Sequence, residues 1–410
     1  MERTILHCDL NNFYASVACK LHPEFKELPL AVCGDVEARH GIVLAKNEVA
    51  KAFGVKTGEP IWQAKQKCAN IVVIGTDFSS YRYYSKKAQE IYARYTDQIE
   101  PFGIDECWLD ITGSLRLFGT AQEIAFKIKE SIKAELGLTI SVGISFNKVF
   151  AKIGSDMKKP DAITLIPRAQ FKEILWNKPA EDMLCIGRAT LSALHELGIY
   201  TIGDLANANP KTLKSRFGVI GEMLHTYANG KDNTPVSNIN NYTPPKSIGR
   251  SVTTAQDMQT NQEVWRLFLH LTEDITRQLR EHRLYAGGVQ IHLRTNDLKV
   301  SEFSAMLPYP TQLTETFAKE GFKLFIQRFD WHLPLRAAGI RALHLTPNIS
   351  GLQIGLFDNP VQDIKKEQLE SRIFGLRQKY GDACISRASV TDLHFQRSES
   401  FVKFPHHKKS

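Results

Sequence analysis

Residues 230–245 break this sequence in two. Gly230-Lys231-Asp232-Asn233-Thr234-Pro235 opens the break, Asn-rich residues follow, and Pro244-Pro245 closes it. Glycine, proline and short polar residues continue neither a helix nor a central strand, so a linker is expected over residues 233–245. Regular apolar repeats resume on both sides. A single core also stops growing near about 250–300 residues, so a chain of 410 residues is expected to fold as several domains.

Before the break, residues 5–10 read as a buried strand that ends near Asp9. Residues 12–18 read as the start of a helix carrying Phe13, Tyr14 and Val17. An apolar run, Leu30-Ala31-Val32-Cys33, precedes a loop-helix stretch at 41–53, and residues 81–95 are helix-like. Residues 103–111 read as a turn entering a strand. Ile124, Ile128, Ile132 and Leu136 recur at helical spacing. A β-branched strand at 138–145 and a helix at 147–157 follow. That order predicts an α+β sheet with its helices on one face. After Pro167 come helical segments broken by Gly187, Gly198, Gly203, Gly218 and Gly221.

Beyond the break lies a second α+β pattern. Val264, Leu267, Phe268, Leu271 and Ile275 form a helical stripe. Val289, Ile291 and Leu293 alternate with polar residues, as in a half-buried strand. Residues 314–329 read as a helix, 339–345 as a strand and 364–380 as a polar helix.

With 43% hydrophobic residues the chain is not expected to be disordered. Its net charge of +8 suits a binder of nucleic acid, although ordinary soluble proteins reach such values too. The seven cysteines form no C-x-x-C pair, which fits reduced thiols in a cytoplasmic protein. The first residues show no signal-peptide pattern, and no apolar run approaches the roughly 20 residues of a membrane span. No association with a membrane is expected.

Three acids then draw notice: Asp9 at a strand end, and the pair Asp105-Glu106 ahead of a second strand. Nucleotidyl transfer uses two divalent cations to clamp the attacking and leaving oxygens. Hard cations such as Mg²⁺ take carboxylate oxygens. Neighbours in an extended strand point to opposite faces. For Asp105 and Glu106 to serve one site the chain must turn, and Gly103 supplies that freedom. An Asp-Glu dipeptide alone is common, so its surroundings decide.

Those surroundings resemble the Y-family of DNA polymerases, most closely its bacterial DNA polymerase IV-like branch. Asp9-Leu10-Asn11-Asn12-Phe13-Tyr14-Ala15-Ser16-Val17 is similar to the first family motif. Gly103-Ile104-Asp105-Glu106-Cys107-Trp108-Leu109-Asp110 is similar to the second. Ser141-Val142-Gly143-Ile144-Ser145-Phe146-Asn147-Lys148, continuing through Ala151-Lys152-Ile153 and Asp156 to Lys159-Pro160, is similar to the third. The order and spacing of all three are specific, and the likeness extends to Leu356-Phe357.

The resemblance implies an α+β multidomain fold, a right hand with palm, small fingers, helical thumb and little finger. The palm would take residues 1–10 and 76–166, the fingers 11–75 and the thumb 167–232 with a helix-hairpin-helix. The linker would take 233–245, the little finger 246–346, and a clamp-binding peptide with the C-terminal tail 347–410. The implied activity is low-fidelity, template-directed DNA synthesis across damage, with two Mg²⁺ ions per site. Asp9, Asp105, Glu106 and the Leu10 carbonyl would hold the metals. Tyr14 resembles a steric gate against ribonucleotides, with Phe13 beside the incoming nucleotide. Lys159 resembles a triphosphate-contacting lysine. Glu48 and Lys51 stand where relatives often carry Tyr and Arg; Lys51 keeps the charge but not the bidentate fork.

Primer-template DNA and deoxynucleoside triphosphates are the implied partners of a monomeric enzyme. Cys185-Ile186-Gly187-Arg188-Ala189 would offer backbone N–H groups to DNA phosphates, as Lys246, Arg250, Arg294 and Lys299 would offer charge. Gln353-Ile354-Gly355-Leu356-Phe357 resembles the peptide that binds the bacterial sliding clamp (the β subunit), with Gln353, Ile354, Leu356 and Phe357 as contacts. No separate proofreading segment is evident. A catalytically impaired DNA-binding scaffold recruited to the clamp is the main alternative. A nucleotide cyclase or a metal-dependent nuclease would share the carboxylates.

Overall fold

The computed structural model describes residues 2–34, 41–241, 244–347, 360–381 and 384–388. The chain forms two compact units that divide between Tyr242 and Thr243.

The first unit contains β1 (Ile5–Leu10), β2 (Leu30–Cys33), β3 (Val43–Lys46), β4 (Val72–Ile74), β5 (Ile99–Pro101), β6 (Glu106–Asp110), β7 (Ile140–Ser145) and β8 (Ile163–Ile166). Five of them make one sheet in the order β5-β6-β1-β7-β8. β1 sits at its centre, antiparallel to β6 and β7. Side chains alternate across a strand. Leu6, Cys8 and Leu10 therefore enter one core, with Cys107, Leu109, Val142 and Ile144 beside them. Helices Phe13–Leu21, Phe78–Tyr92 and Ala121–Ser131 cover that side.

Ile5, His7 and Asp9 belong to the opposite side, where the Lys148–Met157 helix lies. Ile5 shares a small core with Trp108 and Ala151. This corrects the one-faced layout expected from the sequence. The physical reason is Gly143 on β7: a Cβ there would stand 1.9 Å from the Ala151 carbonyl oxygen, so only glycine admits the helix this closely. The same helix carries Val149, Phe150 and Ile153 into the core of the glycine-broken helices. β2, β3 and β4 form a smaller sheet in the order β3-β2-β4, packing Ala31, Val43, Ala50, Val55 and Ala64.

The stretch read as a linker is not free over its first half. Val236 is buried with Ile5 and Trp108. Arg3 donates to the Thr234 carbonyl at 2.9 Å. The Ser237 N–H donates to Glu100 at 2.9 Å, and Asn238 donates to Asp97 at 2.7 Å. Its polar groups find partners on the first unit instead of water, so composition alone suggested freedom that one apolar anchor removes.

The second unit contains β9 (Ile248–Met258), β10 (Tyr285–Thr295), β11 (Val300–Thr311) and β12 (Leu335–Thr346). They form an antiparallel sheet in the order β11-β10-β12-β9. Helices Asn261–Glu281 and Thr314–Arg328 cover one face, packing Leu267, Phe268, Phe317 and Phe325 with Val289, Ile291 and Ile340. The Thr314–Arg328 helix has no capping side chain of its own, because Leu313 holds the cap position. Glu370, on the Pro360–Tyr380 helix, accepts from the Thr314 N–H at 3.2 Å and its hydroxyl at 3.1 Å. A carboxylate at a helix start satisfies orphan donors and complements the dipole. Glu370 also pairs with Arg280. The tail thus folds onto this unit as far as residue 388 is described.

Candidate active site

Strand register brings the acids together. Asp9 on β1 stands opposite Glu106 on β6. Ahead of β6, Gly103 adopts φ 100°, which a side chain would resist. That turn lets the Asp105 carbonyl accept the Leu10 N–H at 3.0 Å, so Asp105 lies beside the end of β1. The freedom expected of Gly103 is used as the sequence suggested. Asp9 is only 5% exposed.

Two lysines stand among these carboxylates. Lys159 donates to Asp9 Oδ2 at 2.6 Å and lies 2.9 Å from Asp156. Lys152 donates to Glu106 Oε1 at 2.9 Å, with Asp156 at 3.2 Å and Asp9 at 3.6 Å. Burial, then the charge of Glu106, pushes the Asp9 carboxyl up despite both lysines. Burial, Glu106 and Asp9 push Asp105 up to about 7. Burial would raise Glu106 too, but His7 and Lys152 outweigh it and hold that carboxyl low. His7 itself is wholly buried, and desolvation lowers its pKa although Glu106 pulls the other way.

Among the described residues, no three Asp, Glu, His or Cys side chains converge as a ready cation cage. The donor set nonetheless fits a hard divalent ion. All three acids offer oxygen ligands. Two lysine ammonium groups already stand among the carboxylates, and burial with the charges of Glu106 and Asp9 raises Asp105 by repulsion that a cation would relieve.

Asn11 is buried and donates to Ser141 Oγ at 2.9 Å, while its Oδ1 accepts the Asp161 N–H at 2.9 Å. It thereby fastens the loop that bears Lys159. The Phe13 ring is 3% exposed and belongs to the core. Tyr14 is partly exposed and stacks on Tyr81, with ring centroids 4.2 Å apart. Lys51 is half-exposed and pairs with Glu48 at 3.3 Å; Glu48 also accepts from Asn12 at 2.7 Å.

Sequence reasoning gave no role to His7 or Lys152. The signals were present. His7 precedes Asp9 by two on a strand, and so shares its face. Lys152 and Asp156 are four apart on one helix. Elsewhere, Arg250 is not a free phosphate contact: its side chain is 13% exposed and ion-paired with Asp274. Lys299 is 85% exposed beside Asp297, and Lys246 is exposed. Gly187 starts the Arg188–Glu196 helix without a side-chain cap. Gln353, Ile354, Leu356 and Phe357 lie outside the described residues.

Comparison with known proteins bears on this geometry. Residues 8–156 match the model of the impB/mucB/samB family, and residues 245–356 match that family's C-terminal domain. Residues 181–232 match a thumb-domain model described for DNA polymerase-iota. A DNA polymerase IV of Acetivibrio thermocellus is 45% identical over 387 residues, which is 94% of this chain and 97% of that protein. A DNA polymerase IV 1 of Bacillus subtilis is 35% identical, with 100% of this chain and 99% of that protein covered. Among solved structures, a Y-family DNA polymerase chimera superposes with a TM-score of 0.75 at 23% identity, covering 84% of this chain and all of that one. That likeness supports the fold, an α+β right hand in several domains. Taken with the near full-length relatives, it places the chain in a single family: it belongs to the lesion-bypass Y-family of DNA polymerases, in the DNA polymerase IV branch, and is a DNA-directed DNA polymerase.

Proposed function

We propose that the chain extends a primer on damaged as well as intact templates, at low fidelity, through a site built on Asp9, Asp105 and Glu106. The observation that carries this reading is the convergence at adjoining strand ends of three acids, Asp9 buried and Asp105 and Glu106 part-buried, where desolvation and mutual repulsion push Asp105 up to about 7. A fold does not gather such charge for stability. Asp9, Asp105, Glu106 and the Leu10 carbonyl would hold two Mg²⁺ ions. Bound there, the ions would acidify the primer 3′-hydroxyl and offset charge at the triphosphate.

The chain's own groups supply the rest. Lys159, now on Asp9, is a cation on a flexible stem within reach of entering phosphates. Asn11 fixes the neighbouring loop by its bond to the Asp161 N–H. Tyr14 is braced by Tyr81 and excludes a ribose 2′-hydroxyl by bulk. Phe13 anchors that helix from the core, behind the nucleotide. Lys51, held by Glu48, offers one charge to the triphosphate. Exposed Lys246 and Lys299 and the uncapped start at Gly187 suit sequence-independent phosphate contacts. Gln353, Ile354, Leu356 and Phe357 would bind the sliding clamp, tethering a monomeric enzyme at the primer end.

The test is primer extension with Mg²⁺ and four deoxynucleotides on undamaged and lesion-bearing templates. Extension past the lesion, with frequent mispairs on the intact template, is expected. Failure of the wild-type protein to extend either primer would overturn the reading. Replacing Tyr14 by Ala should raise ribonucleotide use by about a hundredfold relative to deoxynucleotides. Leu356→Ala with Phe357→Ala should weaken clamp binding about tenfold, roughly 1.4 kcal/mol, and leave unassisted extension unchanged.

A further inference from the structure

Among the described residues, His7 is the one imidazole packed into the carboxylate face of the sheet, and no part of the reading above uses it. It is 0% exposed. Its ring is wedged edge-on against Trp108, at 5.4 Å between centroids, with Phe102 beyond at 6.5 Å. Trp108 is fixed in turn by donating from Nε1 to the Lys148 carbonyl at 2.9 Å. The ring cannot turn freely between these walls, so both its nitrogens have assigned neighbours. Nδ1 lies 2.8 Å from Ser155 Oγ, and Nε2 lies 3.3 Å from Glu106 Oε2. At 3.3 Å the two atoms are in ion-pair contact, short of a well-formed hydrogen bond, and neither has another partner among the described residues.

Proton placement then decides which nitrogen is protonated. Ser155 has one hydroxyl proton and two acceptors within reach, His7 Nδ1 and the Lys152 carbonyl at 2.8 Å. If only Nδ1 carried a proton, it would donate to Ser155, and the bare Nε2 would face a carboxylate oxygen, lone pair to lone pair, in a buried setting. That costs the full penalty of two unmet polar atoms. Every other arrangement puts a proton on Nε2, aimed at Glu106. The other carboxylate oxygen, Oε1, is taken by Lys152 at 2.9 Å. Glu106 is thus gripped on both oxygens, by one flexible ammonium and one ring that cannot move.

We propose that His7 is a positioning residue for Glu106: its Nε2–H, required by the carboxylate it faces, holds Oε2 so that the carboxylate keeps one orientation when Lys152 yields Oε1 to a cation. This rests on the reading of Glu106 as a metal-holding residue. A fixed partner behind a ligating carboxylate conserves its orientation and basicity, and removing such partners typically costs about 10–100-fold in metal affinity or activity.

The experiment uses the full chain in three forms: wild type, His7→Phe, which keeps a ring but no donor, and His7→Gln, which restores an N–H. First, ¹⁵N-edited imidazole spectra of the wild type should show Nε2 protonated; a ring protonated at Nδ1 alone would overturn the proposal. Second, in single-turnover extension His7→Phe should lose about tenfold or more in rate and need several-fold more Mg²⁺ for half-maximal rate. Its KM for deoxynucleotides, its DNA affinity and its melting temperature should stay near wild type, and His7→Gln should recover most of the rate. Wild-type rate and Mg²⁺ dependence in a folded His7→Phe would overturn the proposal while leaving the site reading intact. Full activity of Glu106→Ala would instead overturn the site reading. If His7→Phe melts early, equal loss in His7→Gln decides against positioning, since its donor is restored.

Discussion

On the carboxylate face of the first unit, Asp9, Asp105, Glu106 and Asp156 meet two lysines, Lys152 and Lys159. On the helical side of the second unit, Glu273 and Glu370 meet three arginines, Arg280, Arg377 and Arg387. Both clusters are partly withdrawn from water, yet they are built on opposite terms. Four acids against two lysines leave acids unmatched, and Asp105 is pushed up to about 7. In the second cluster each acid is ion-paired with two arginines, so no acid is left without a cation, and these pairs tie the tail helix to the unit. Glu370 even replaces a missing helix cap. Matched buried charge fastens structure; unmatched like charge stands ready for a ligand of opposite sign.

That contrast can be broken by substitution. The largest effect is expected at the unmatched cluster. Asp105→Ala or Glu106→Ala should lower single-turnover primer extension by roughly a thousandfold or more, with DNA binding nearly intact. Extension near wild type in both variants would end the distinction. At the matched cluster the loss should appear in stability. Glu370→Ala leaves Arg280, itself 9% exposed, without its carboxylate and with only the Gln312 carbonyl as acceptor, and leaves the Thr314 helix uncapped. The second unit should lose about 3 kcal/mol, read by denaturant unfolding, while the extension rate at low temperature stays unchanged. A rate defect without a stability defect would invert the assignment. The smallest effect belongs to an exposed pair. Glu48→Gln should change stability by less than about 1 kcal/mol, because Glu48 and Lys51 are half-exposed. If Lys51 serves the triphosphate, Glu48→Tyr with Lys51→Arg should lower the deoxynucleotide KM a few-fold, since Arg binds phosphate through two bonds.

The two clusters also differ in how far the sequence discloses them. Asp9, Asp105 and Glu106 lie in contiguous motifs, and Gly103 signals the turn between them. Strand periodicity then suffices to place β1, β6 and β7. His7 and Lys152 escaped because their partners come from other elements, and only the β1–β6 register and the close approach at Gly143 bring them together. The matched cluster was illegible. Apart from Arg387, its arginines and glutamates sit on helices whose charged residues read as solvated faces, and docking by charge leaves no apolar stripe on the Pro360–Tyr380 helix. β9 and β11 were missed for a related reason. Both are edge strands with polar, partly exposed residues, and Pro308 and Pro310 interrupt β11.

The contrast is tested most directly by melting the wild type and Asp105→Asn, each with and without saturating Mg²⁺. An unmatched cluster is a fault that a cation repairs. Without metal, Asp105→Asn should melt above the wild type, because one repelling charge is gone. With Mg²⁺ the wild type should gain roughly 2–4 °C through binding to the folded state, and Asp105→Asn should gain little. A metal-free Asp105→Asn that melts below the wild type, with equal gains from Mg²⁺ in both, would contradict the claim that these acids are gathered to hold a cation.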